Sequence, residues 1–160
     1  IKTITPGGAA AIDAAYREGQ GQYVQQQGPF PQQLQADGVG HVVAQVGPQI
    51  GPNAFSSLAA MRDWLGTDEA AAFGRAYRKT RAYMNETPPA EIAAAEKEYF
   101  SDVDEAVLAD CIGTYQKLGC WTPHPEITRE AFDVAQDVFV HFGSLKEKVD
   151  YEQAVVATPG

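Results

Sequence analysis

The sequence predicts an α/β chain, rich in helix, with a small mainly parallel sheet. Three observations carry that expectation. Short β-branched runs alternate with helical stretches through the first fifty residues, at the spacing of βαβ units. Glycines punctuate these stretches, 10 of the 15 lying in residues 1–66. From residue 67 the composition turns charged and Ala-rich, with 9 basic and 17 acidic residues against 3 and 4 before it, and apolar residues recur at helical spacing.

Lys2 to Thr5 is a β-branched run and the first candidate strand. Pro6-Gly7-Gly8 breaks it, and Ala9 to Glu18 then reads as a helix with Gly19 as its C-terminal stop. Gln22 to Gln26 is the second candidate strand, ended by Gly28-Pro29. Pro31 to Ala36 predicts a short helix, and His41 to Ala44 a third strand. Gly47 to Asn53, with two prolines, is a loop or a crossing between lobes. Phe55 to Leu65 is apolar without a strict period and reads as strand, then helix.

Thr67 caps the next helix, to about Glu86, with Asp68 and Glu69 at its positive end. Phe73, Ala76, Tyr77, Thr80, Tyr83 and Met84 form its expected buried stripe. Arg75, Arg78, Lys79 and Arg81 read as a solvated basic face offset by nearby acids. Thr87-Pro88-Pro89 opens a further helix, since Pro fits the first turn. Asp102 and Glu105 have capping-pair spacing before a helix to about Leu118, whose apolar face is Val107, Leu108, Cys111, Ile112, Tyr115 and Leu118. Thr128 caps a helix to about Phe142 that buries Ala131, Val134, Ala135, Val138 and Phe139, and Ser144 with Glu147 suggests one last capped turn.

At 160 residues the chain is long enough for a core without metal or disulfides. A net charge of −9 argues against general nucleic-acid binding. No apolar run approaches the roughly 20 residues that span a bilayer. Cys111 and Cys120 fall nine positions apart, too far for a bridge along a helix, so two separate thiols are expected. The chain begins at Ile1 and shows no leader pattern.

Catalytic motifs are missing: no P-loop, no nucleotide glycine fingerprint, no zinc-protease helix, no nucleophile elbow. His41, His124 and His141 are widely separated, and Asp133 with Asp137 reads as a solvated helix face. No enzyme activity, cofactor or metal is expected. Two features can bind a ligand. Gly7 and Gly8 open a helix whose free N–H groups suit an anion or carbonyl, although a plain tight turn explains them too. Gln26, Gln27 and Gly28 end a candidate strand, where open α/β sheets hold ligands; an exposed polar loop is the alternative.

Several stretches together resemble solute-binding proteins of ABC transporters, and among them the NMT1/THI5-like group. They are Ala14 to Val24, with Gln22 where that family often has Asp; Gln27 to Leu34 followed by Gly38 to Ala44; Phe73 to Lys79 through Asn85 to Pro88; and Ile127 to Phe132 followed by Gly143 and Val149 to Tyr151. The resemblance implies part of a two-lobed, periplasmic-binding-protein-like fold. Residues 1–53 would be the remainder of the second α/β lobe. Residues 54–160 would be a crossing segment and the C-terminal helices that pack on the first lobe.

It further implies capture of a small polar solute in an interlobe cleft, with Gly7, Gly8, Gln26, Gln27 and Gly28 at its edge, and delivery to an ABC permease in a periplasmic or extracellular setting. With half the cleft outside the matched region, binding no tighter than high micromolar is expected. A pyrimidine-synthase-type catalyst, found among relatives, would need His or Cys in the Gln25–Phe30 region, and neither is there. An independent helical protein-interaction domain remains as the second class. Because two apolar helix stripes need cover, a homodimer is also expected.

Overall fold

The computed structural model describes residues 2–160. Among the described residues eight α-helices run in the order α1 (Ala9–Arg17), α2 (Phe30–Ala36), α3 (Gly47–Ile50), α4 (Asp68–Glu86), α5 (Pro89–Glu96), α6 (Glu105–Lys117), α7 (Arg129–His141) and α8 (Tyr151–Ala154), with short 3-10 turns at Trp64–Gly66 and Lys97–Tyr99. Among the described residues there is no β-strand. This corrects the predicted α/β class and its small parallel sheet.

The runs 2–5, 22–26 and 41–44 are irregular chain. Their turn punctuation and β-branched residues favour extended backbone, but a strand exists only through ladder bonds to a neighbour. None of the three pairs with another, and Ile4, Tyr23, Val42 and Val43 stay exposed. The segment from Phe55 onward likewise forms no strand and only a 3-10 turn at its end.

The chain divides into two compact units, each drawn from two stretches. Unit 1 takes residues 1–44 and 87–118, unit 2 residues 45–86 and 119–160.

Unit 1 is centred on α6, which packs against α5 and α2. Val107, Leu108, Cys111 and Ile112 repeat along one face of α6 and are buried with Leu34 of α2 and Ile92 and Ala93 of α5. The absence of a side chain at Gly113 admits the Pro89 ring, whose Cγ would lie 3.3 Å from a Cβ there. The Gln116 amide donates to Thr87 O at 2.9 Å and fixes the start of α5. Between α5 and α6, the Lys97 ammonium donates to the carbonyls of Ser101 and Val103. That loop delivers Asp104, whose carboxylate accepts from Ala106 N at 2.8 Å. Asp104 therefore caps α6, not Asp102 as the spacing suggested.

In unit 2, Thr67 Oγ1 accepts from Ala70 N at 3.1 Å at the head of α4. Thr128 Oγ1 accepts from Ala131 N at 3.2 Å at the head of α7. The expected α4 stripe is only partly covered. Ala70, Gly74 and Met84 are buried, whereas Phe73 and Tyr83 are exposed. On α7 the buried residues are Ala135 and Gln136, while Val138 and Phe139 remain accessible. Arg78, read from sequence as part of a solvated face, donates to the carbonyls of Thr158 and Pro159, each at 3.1 Å. The tail crosses α4 at Gly74, where a Cβ would sit 1.8 Å from Pro159 O. No capped turn starts at Ser144; the last helix is α8, further on.

Candidate functional site

The predicted site residues all lie in unit 1. Gly8 is the N-cap of α1 and supplies no side-chain cap. A helix start leaves its first N–H groups without intrahelical partners, so those of α1 face solvent or a ligand. The Gln26 amide reaches back and donates to Ala9 O at 2.8 Å. This bond joins the Gly7-Gly8 turn to the glutamine run, two segments 17 residues apart. Gln26 is half-buried, while Gln27, Gly7 and Gly8 are exposed.

Gly28 has a packing role of its own. Its N–H donates to the Tyr115 hydroxyl at 2.9 Å. A Cβ at Gly28 would come within 2.3 Å of Cys111 Sγ. Gly8 differs: no atom lies within 4 Å of the Cβ it lacks, and its φ of −72° is open to any residue.

Sequence reasoning missed a polar groove in the same unit, about 560 Å³, between α2 and the head of α6. Gln32, Gln33 and Asp37 face it from one side and Asp104 and Asp110 from the other. Gln32 is 7% exposed and its Oε1 has no hydrogen-bond partner. Asp37 accepts from the Gln33 amide and from Arg17, each at 2.8 Å. These bonds, the amide's first, hold its carboxyl below its ordinary pKa. The signal was available as Gln32-Gln33 one helical turn from Asp37, but the α6 side of the groove is a tertiary feature. Gly7, Gly8, Gln26, Gln27 and Gly28 do not line this groove.

Among the described residues no group of three or more His, Cys, Asp or Glu is placed to hold a metal ion. No helix among them is long and apolar enough to cross a membrane. Cys111 is buried, Cys120 is exposed, and no disulfide joins them. Partial burial pushes the Cys120 thiol pKa up.

The chain is similar to a Bacillus subtilis (strain 168) protein named "Putative binding protein YtlA". The two are 28% identical over 148 residues, which is 91% of this chain and 44% of that protein. The chain thus spans less than half the length of the relative it matches. No family profile and no solved structure matches the chain.

Proposed function

We propose that the chain belongs to the solute-binding component of an ABC transporter of the NMT1/THI5-like kind, and that it captures a small polar organic molecule for delivery to a membrane permease. Gly7, Gly8, Gln26, Gln27 and Gly28 form its share of the binding surface. The observation that supports this most is the Gln26-to-Ala9 hydrogen bond, which brings an uncapped helix start beside a run of amide side chains. Backbone N–H groups would take an anionic or carbonyl oxygen, and the exposed Gln27 amide would add a donor and an acceptor. The name of the similar protein supports binding over catalysis.

Calorimetry with a hydroxymethyl-aminopyrimidine and with short alkanesulfonates tests the reading. One of these classes should bind in the high-micromolar range. Gly8→Ala meets no atom within 4 Å in the free protein, so its effect on the melting temperature should be no more than the small cost of an alanine N-cap. It should weaken binding by about tenfold, roughly the loss of one close backbone contact. Equal affinity of Gly8→Ala, Gln27→Ala and the unaltered chain would remove these residues from the site.

A protein-interaction module is the second reading. It is favoured by large apolar side chains left open in unit 2, among them Phe55, Met61 and Phe142, each more than 70% exposed. Binding of neither solute class, together with a defined dimer or protein complex, would favour it.

A further inference from the structure

Unit 2 contains a cavity of about 600 Å³, separate in its residues from the site above and within the size range of small-molecule pockets. Leu58 supplies one wall, Phe132 and Phe139 of α7 a second, and Leu145 and Val155 a third. No charged side chain lines it. The polar lining residues are Ser57, Ser144 and Gln136.

Gln136 is the informative one. It is 5% exposed, although glutamine is a residue that seldom leaves water. Its orientation is fixed by chemistry: Val149 N–H can only donate, and it does so to Gln136 Oε1 at 2.6 Å. The Gln136 Nε2 amide must then be the free end, and it donates to nothing among the described residues. That nitrogen, unlike Gln32 Oε1, is not sealed from solvent, so it is available to donate to a ligand carbonyl. The walls are braced around this point. Ala54 N donates to Ala131 O at 3.0 Å, holding the 54–59 segment to α7. The Tyr151 hydroxyl donates to Ile127 O at 2.5 Å, and its ring stands edge-on to Phe132 at 5.5 Å.

We propose that this cavity binds an uncharged, mainly apolar small molecule that carries one carbonyl-type acceptor, with Gln136 Nε2 as the donor that orients it. The apolar walls supply affinity through buried area, and the amide selects for the acceptor.

The probes are 1-tetralone and tetralin, which differ by that one carbonyl, added to the 15N-labelled chain. Tetralone should bind about tenfold more tightly than tetralin, the difference one net hydrogen bond confers. Its titration should shift the Gln136 side-chain amide resonances, whereas tetralin should shift only the backbone amide resonances of the walls. Gln136→Glu keeps an oxygen toward Val149 N–H but removes the amide donor, so the preference for tetralone should vanish. Should that variant unfold, Ala59→Trp tests the site separately. Ala59 is an exposed lining residue, and indole there should block both probes by more than tenfold with an unchanged circular-dichroism melt. Equal binding of both probes, no binding to millimolar concentration, or unaltered binding by Ala59→Trp would overturn the proposal. So would a dimeric mass that Ala59→Trp converts to monomer, because a second copy would then be the occupant.

Discussion

Glycine has different meanings at different positions in this chain, and only surroundings separate them. Gly28 lies against α6 so closely that a methyl group would enter the Cys111 sulfur and crowd the Tyr115 hydroxyl, 3.0 Å away. Overpacking a formed core costs roughly 1–3 kcal/mol. Gly28→Ala should therefore lower unfolding stability by about that amount in a urea titration, and Cys111→Ala in the same chain should restore part of it. An unchanged denaturation midpoint would mean that the segment moves off α6 at little cost. The sequence shows Gly28 beside a proline and a glutamine run, which is enough to mark it as unusual. It cannot show the α6 side chains that explain it, because they come from residues more than 80 positions later. The same holds for Gln136, which helical periodicity places beside the buried face of α7 but whose partner, Val149, is fixed only by the fold.

At the scale of elements, the longer helices were legible and strands were not, while the one-turn helices α3 and α8 went unread, the helix expected before Leu65 is only a 3-10 turn, and the turn expected at Ser144 does not form. A helix satisfies its backbone internally, so local spacing, caps and stop residues suffice to mark it. Thr67 and Thr128 cap as read, and Gly19, Gly119 and Gly143 take the positive φ that ends a helix. Strand character in residues 2–5, 22–26 and 41–44 depended on partners that none of them has among the described residues. The cap of α6 shows how tertiary contacts choose between two local candidates. Asp102 had the better spacing to Glu105, but Lys97 gathers the loop carbonyls and brings Asp104 to the helix start. Loss of an N-cap typically costs about 1 kcal/mol. Asp104→Ala should lower stability by roughly that much, Asp104→Asn by little, and Asp102→Ala by almost nothing. Chemical denaturation of the three variants distinguishes them; equal losses for Asp102 and Asp104 would return the cap to the earlier residue.

At the scale of the whole molecule, the two apolar stripes read from sequence have different fates. The α6 stripe is largely consumed inside unit 1, where Leu108 and Ile112 are each 3% exposed. The α4 stripe is not. Met84 is buried, but Phe73 is 49% and Tyr83 43% exposed. Phe73 stacks on Tyr77 with ring centres 6.3 Å apart and meets Trp64 edge-on at 6.1 Å, so these rings form a continuous aromatic surface rather than scattered contacts. Burying one large side chain is worth about 1.5–3 kcal/mol, and contiguous exposed apolar surface commonly marks an interface. A two-fold contact would place the same rings on both sides, which suits aromatic surfaces that pack edge to face. We therefore expect the 160-residue chain to form a homodimer through the Trp64, Phe73 and Tyr77 face. Light scattering at low micromolar concentration should give twice the mass of 17.2 kDa. Phe73→Glu places a charge in the middle of that face and should return the monomer with its far-UV circular-dichroism spectrum unchanged, since Phe73 is already half in solvent and its loss takes away the dimer rather than the helix. Ala59→Trp, which alters the cavity and not this face, should leave the dimer intact. A monomeric mass for the unaltered chain across that concentration range would show that the α4 rings are stable in water as they stand.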